Sequence, residues 1–181
     1  MRSATPRPAS RVPKVVDWPE LLEARQRARR EGKVVVWTNG CFDLLHVGHV
    51  RNLQAARGHG DLLVVGLNSD DSVRRLKGPG RPVLPAAERA EVLAALACVD
   101  YVVVFEEATP TAAIARLQPD VHCKGADYAP PHGKPVPERS VVEAHGGRLV
   151  FLPLTPGIST SELLRRARAP ADAPAGQPCP S

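Results

Sequence analysis

The sequence predicts an α/β domain on an open, parallel, five-stranded sheet with helices on both faces. Short β-branched runs recur between segments of helical periodicity. Those runs are apolar throughout rather than alternating, as strands covered on both faces are. The polar clusters fall just after the runs, at the carboxyl ends where ligands sit in such sheets.

The elements follow in order. Asp17 caps a first helix through Leu21, Leu22 and Arg29, which Gly32 stops. Strands are predicted at about 34–38, 62–67, 101–105, 120–124 and 148–152. Helices are predicted at about 46–58, 70–77, 85–97, 109–117, 137–145 and 160–168. Residues 1–14 and 169–181 are rich in Pro, Ala and Ser without periodicity, so both read as disordered tails around one domain at 15–168. Neither G-x-G-x-x-G nor a P-loop string occurs.

Composition narrows the function classes. Hydrophobic content of 43% and charged content of 24% are globular values, and 181 residues suffice for a full core. The net charge of +5 suggests nucleic acid until it is located. Arg2, Arg7, Arg11 and Lys14 carry most of it in the first tail, so the body is near neutral and no nucleic-acid partner is expected. Pro6, Pro8 and Pro13 interrupt the start and no apolar signal region follows. No apolar run approaches the roughly 18 residues of a membrane span, so a cytoplasmic protein is expected. Cys41, Cys98, Cys123 and Cys179 show no framework spacing; Cys98 and Cys123 are expected as buried free thiols.

The most informative stretch is Thr38-Asn39-Gly40-Cys41-Phe42-Asp43 followed by His46-Val47-Gly48-His49. A strand delivers the chain to a helix start, where unpaired N–H groups and the helix dipole favour an anion. His46 and His49 at i and i+3 share a helix face, and Gly48 between them lets a ligand approach the backbone. Solvated histidines or a metal pair are the alternatives, but no third ligand lies at zinc spacing. A phosphate site is the better reading.

Other clusters lie at other strand ends. Asn68-Ser69-Asp70 follow the second strand, and Asp43 and Asp70 suit a substrate hydroxyl or Mg²⁺, turn capping being the alternative. Lys77-Gly78-Pro79-Gly80-Arg81-Pro82 is a flexible cationic loop able to close over a triphosphate. Arg89 reads as a helix-surface ion pair. Lys124, Gly125 and Asp127 follow the fourth strand, Asp127 being placed to hold a ribose or orient Lys124. Ser159-Thr160-Ser161-Glu162 fits a capping box after Gly157 and offers donors to phosphate oxygens. His59, His132 and His145 receive no role, and Trp18 and Trp37 read as packing residues.

The T-N-G-C-F-D-L-L-H-V-G-H string resembles the signature of the cytidylyltransferase-like nucleotidyltransferases, whose sheet is Rossmann-like. From about residue 33 to 166 the chain resembles their heptose 1-phosphate adenylyltransferase branch, including the N-S-D, R-L-K-G and R-P-V segments. The resemblance implies an adenylyltransferase with His46, His49 and Lys77 catalytic. Thr38, Asn39, Gly40, Phe42, Gly48, Lys124, Gly125, Asp127, Ser159 and Thr160 would bind nucleotide; Asp43, Asn68, Asp70 and Arg81 would bind the acceptor. It implies ATP as co-substrate, Mg²⁺, a phosphosugar and a separate upstream sugar kinase, about 30 residues before the domain being too few for one; a homo-oligomer stays open. Polyol-phosphate cytidylyltransferases, the alternative, resemble the chain at the last strand but read R-T-E-G-I-S-T where this sequence has Leu154-Thr155-Pro156-Gly157-Ile158-Ser159-Thr160. A non-catalytic nucleotide sensor is the alternative of another class.

Overall fold

A computed structural model describes residues 13–168. Five parallel strands, β1 (Val35–Gly40), β2 (Leu62–Asn68), β3 (Tyr101–Phe105), β4 (Val121–Gly125) and β5 (Arg148–Leu152), lie in the order β3-β2-β1-β4-β5. Among the described residues seven α-helices connect and flank them: α1 (Trp18–Arg30), α2 (Val47–Arg57), α3 (Asp70–Lys77), α4 (Ala86–Ala95), α5 (Thr111–Leu117), α6 (Arg139–Ala144) and α7 (Thr160–Arg168). This is the predicted architecture.

Alternation along the strands fills both faces. Val36, Leu63, Val65 and Val102 pack with Leu53 of α2 and Leu93 of α4. Their neighbours Val35, Trp37, Val64 and Val103 pack with Leu21 of α1 and Ile114 and Leu117 of α5. A continuous apolar run is therefore what a doubly covered strand requires. Trp37 fits because Gly66 on β2 has no side chain: a Cβ there would lie 2.2 Å from the indole Cζ2.

Local chemistry fixes the ends. Asp17 caps α1 through a complete capping box with Glu20. Asp61, Asp100 and Asp120 accept the N–H groups of Val34, Leu63 and Val35 at 2.8 Å, at the amino end of the sheet. The acids of that end are structural, while the predicted motifs gather at the other.

Two expectations shift. Lys14, assigned to the first tail, is ordered: Val102 N–H donates to its carbonyl at 2.7 Å, and its ammonium reaches Leu96 O at 2.8 Å. The pairing of Val15 with Val102 adds a stub to the β3 edge. The remainder of the two predicted tails, 1–12 and 169–181, lies outside the described residues, as does Cys179. Cys123 is fully buried and burial pushes its thiol up to about 12, whereas Cys98 is only half-buried.

Candidate active site

The sheet opens where its order reverses. β1 pairs with β2 along its whole length but with β4 only at Val36–Val121 and Trp37–His122. Beyond that register the two strands part, and the buried Thr38 hydroxyl bridges them to the Cys123 carbonyl at 3.2 Å. The crevice at their carboxyl ends widens into a cleft of about 790 Å³. Such a switch point is where open α/β sheets bind ligands.

Fifteen of the seventeen predicted site residues line this cleft: Thr38, Asn39, Gly40, Phe42, Asp43, His46, Gly48, His49, Asn68, Lys77, Arg81, Lys124, Gly125, Ser159 and Thr160. Asp70 and Asp127 do not. Their carboxylates belong to ion pairs elsewhere, Asp70 with Arg89 and Asp127 with Lys134, both at 2.6 Å. Arg89 is no surface residue: it is buried, and also donates to the Leu84 and Cys41 carbonyls. Asp70 is therefore the counter-charge of a buried guanidinium rather than a ligand group.

The histidines depart from the predicted geometry. His46 is not on the helix face but is the N-cap of α2, its Nδ1 accepting the His49 N–H at 3.4 Å. The two rings stack, centroids 3.8 Å apart and planes 19° from parallel. Gly48, which lines the cleft, also makes room for this stack: a Cβ there would lie 3.1 Å from the His46 ring and 3.2 Å from Ile158. Phe42, in the left-handed region at φ 43°, lays its ring 5.2 Å from that of His49. Burial lowers the pKa of His46. Burial first, and the neighbouring His46 second, bring His49 down to about 4. Both imidazoles are neutral at pH 7 and carry no cationic charge there.

Charge in the cleft is largely matched. Arg81 Nε stands 2.8 Å from Asp43 Oδ2, and Asp43 Oδ1 also accepts Val83 N–H at 2.6 Å. Asp43 thereby anchors the 81–84 segment instead of presenting its carboxylate to a substrate, and the cationic loop is pinned at Arg81. Asn68 donates to Ser72 Oγ at 2.9 Å and so braces the start of α3. Lys124 is paired with Glu138 at 2.6 Å, not oriented by Asp127. Lys77 is the one cation of the cleft without an acidic partner among the described residues. Buried Asn39 Oδ1 has no hydrogen-bond partner, an acceptor left for a ligand donor.

The far wall is the start of α7. Ser159 Oγ accepts the Glu162 N–H at 3.1 Å, while Glu162 turns to Arg165 and Arg166, leaving the capping box half formed. Thr160 Oγ1 reaches Leu44 O at 3.4 Å and ties α7 to the loop before α2. Past Ser161 a second groove carries Lys77, Arg81, Arg165 and Arg168.

His122 and Glu138 were missed by sequence reasoning. A histidine inside an apolar strand needs a polar partner, which was the available signal; nothing local in Val136-Pro137-Glu138 names it. Asp43 and Asp70, the acids predicted to suit Mg²⁺, are both engaged in ion pairs, with Arg81 and Arg89. Among the described residues no group of three or more His, Cys, Asp or Glu could hold a metal. None of the described helices is long and apolar enough to cross a membrane.

An open parallel sheet with a histidine-capped helix at its switch point defines a nucleotide-binding α/β domain. Comparison with known proteins makes this specific. The cytidylyltransferase-like family matches residues 37–166, and the chain belongs to that family. The bifunctional protein HldE of Syntrophotalea carbinolica is 57% identical over 146 residues, 81% of this chain and 29% of that protein. HldE of Geotalea uraniireducens is 56% identical over 150 residues, 82% and 30% of the two chains. The chain thus spans under a third of these relatives. A lipopolysaccharide core biosynthesis protein from Thermoplasma volcanium is structurally similar, with TM-score 0.54 and 25% identity over 68% of this chain and 98% of that one. A pantoate-beta-alanine ligase from Francisella tularensis shares the fold at TM-score 0.51 and 12% identity, over 77% of this chain and 66% of that one.

Proposed function

We propose that the cleft transfers AMP from ATP to a sugar 1-phosphate, heptose 1-phosphate being the acceptor, with ADP-heptose and pyrophosphate as products. The observation that carries this reading is the stacked His46–His49 pair at the head of α2, inside the switch-point crevice. The relatives named HldE and the lipopolysaccharide core protein support the acceptor class.

The attacking group is a phosphomonoester oxygen, already anionic because its second pKa is about 6. It forms a bond to the α-phosphorus of ATP; the α–β bridging P–O bond breaks and its electron pair leaves with pyrophosphate. No general base is required. The protein supplies donors to the oxygens that gain charge: His46 and His49 at the α-phosphate, and the Ser159 and Thr160 hydroxyls and Lys77 along the leaving group. The basic groove past Ser161 suits departing pyrophosphate. Mg²⁺ would arrive on the triphosphate as part of the substrate. A kinase reaction must supply the phosphosugar, and ATP supply agrees with a cytoplasmic setting.

A cytidylyltransferase acting on glycerol 3-phosphate or a similar polyol phosphate is the second reading, favoured by likeness at the last strand but opposed by Leu154. A mere nucleotide sensor would not require two histidines packed at the crevice. Pyrophosphate release with ATP or CTP against a panel of sugar and polyol phosphates tests all three. Release with ATP and heptose 1-phosphate is expected; none with any pair would leave the sensor.

A further inference from the structure

One arrangement in the cleft has no part in the reaction just described. Glu138, the residue before α6, is fully buried, and its Oε1 takes both His122 Nε2 at 3.0 Å and Lys124 Nζ at 2.6 Å. His122, on β4, is also fully buried. Glu138 Oε2 has no hydrogen-bond partner. Burial acts to raise this carboxyl, but the bonds from His122 and Lys124 outweigh it and hold it at about 2, so it is ionised. Burial keeps His122 neutral. The charge facing Glu138 is therefore that of Lys124.

Lys124 is itself mostly buried, lines the cleft, and places its ammonium 4.6 Å from the centroid of the Tyr128 ring. Carboxylate on one side and ring face on another fix it. A carboxylate removed from water with one oxygen unsatisfied is costly, and such departures concentrate where position matters to function. The strand order separates this point from the unpaired cation: Lys77 ends α3, which follows β2, whereas Lys124 is on β4, with β1 between. A phosphate approaching Lys124 would meet the Glu138 charge 2.6 Å from the ammonium. An uncharged acceptor meets no such repulsion and still finds a strong N–H donor.

We propose that Glu138 is a positioning residue that converts Lys124 into a charge-neutralised hydrogen-bond donor. Its target is an uncharged acceptor on the nucleoside half of the triphosphate, a base ring nitrogen or a ribose hydroxyl. The phosphate chain is left to Lys77 and the starts of α2 and α7. This deepens the nucleotidyl-transfer reading and rests on it.

Calorimetric titration of the full chain with ATP and with inorganic tripolyphosphate separates the two halves of the ligand. Lys124→Met is expected to weaken ATP about tenfold or more while tripolyphosphate changes less than about twofold. Glu138→Gln frees the ammonium charge, so it should weaken ATP yet tighten tripolyphosphate severalfold. A residue that merely held the fold would lower both together. If Lys124→Met weakens both ligands equally, or Glu138→Gln keeps the wild-type ratio of the two affinities, the inference is overturned. Should Glu138→Gln not fold, the Lys124→Met arm decides alone. A wild type that binds neither ligand overturns the nucleotide reading and this inference with it.

Discussion

His46 Nδ1 accepts the backbone N–H of His49 at 3.4 Å, and the two imidazoles stack 3.8 Å apart. A neutral ring that accepts at Nδ1 carries its proton on Nε2. The cap bond therefore leaves Nε2 as the donor, which on the proposed reaction would face a phosphate oxygen, so one side chain would both start α2 and serve the site. His46→Ala should lower kcat about 10²-fold and lower stability by about 1 kcal/mol. His46→Asn restores a cap and should recover the stability without the turnover. Steady-state kinetics beside urea unfolding checks this; turnover restored by Asn would reduce His46 to a cap.

His49 gives a pH signature. Its folded pKa of about 4 lies below the ordinary 6.5, chiefly through burial. Between those values the unfolded chain binds a proton that the folded chain refuses. The stability this residue contributes is complete above pH 6.5 and is lost as pH falls toward 4, by at most about 3 kcal/mol. Urea unfolding at pH 7 and 4.5 should show a shallower pH dependence in His49→Gln than in wild type. Identical dependence in both would place the proton uptake elsewhere.

Asp70 separates structure from ligand binding. Its partner Arg89 is buried, so Asp70→Asn leaves a buried charge without its acid and should lower stability by about 2–4 kcal/mol. KM for both substrates should stay within about twofold of wild type below the melting point, since loss of an ion pair outside the cleft removes no ligand contact. A raised acceptor KM with unchanged stability would return Asp70 to the acceptor site.

Sheet and helices were readable because each strand is an apolar run closed by turn chemistry, and both faces of the sheet are covered. Cleft membership was readable for a related reason: polar residues directly after strands have nowhere to go but the carboxyl edge. Side-chain partners were not readable. Asp43, Asp70 and Asp127 look alike in sequence, and only the fold brings Arg81, Arg89 and Lys134 to them. Glu138 was invisible for the same reason, since its partner His122 stands on β4, 16 residues earlier. The i, i+3 histidine spacing predicts a shared helix face, whereas the cap conformation of His46, φ −141° and ψ 169°, is not encoded in that spacing.

Lys77 is the cleft cation without an acid among the described residues. Lys77→Met should raise the KM for the triphosphate about tenfold or more and lower kcat, with stability unchanged because the side chain is exposed. Arg81→Met should instead lose stability through Asp43, which then faces no guanidinium. Thermal melts beside kinetics distinguish the two, and a Lys77 variant with wild-type KM would move the triphosphate away from α3.

Leu154 bears on how a triphosphate would be held. This side chain lines the cleft and is 54% exposed, the most exposed of the large apolar residues among those described. It stands where the polyol-phosphate cytidylyltransferases, which this chain resembles at its last strand, read an Arg. Arg to Leu removes a charged fork and its bidentate bonds to phosphate. The other cleft cations do not replace it evenly, because Arg81 and Lys124 are matched by Asp43 and Glu138. On the proposed reaction the triphosphate is expected to be held by Lys77 and by neutral donors, with an apolar Leu154 in place of a cation. ATP is expected to be consumed ahead of CTP when both compete for one acceptor, with heptose 1-phosphate preferred to glycerol 3-phosphate. Leu154→Arg should lower the KM for both triphosphates by a similar factor, since an added cation reads phosphate and not base. If CTP is consumed faster than ATP with every phosphosugar, the heptose assignment gives way to the cytidylyltransferase reading.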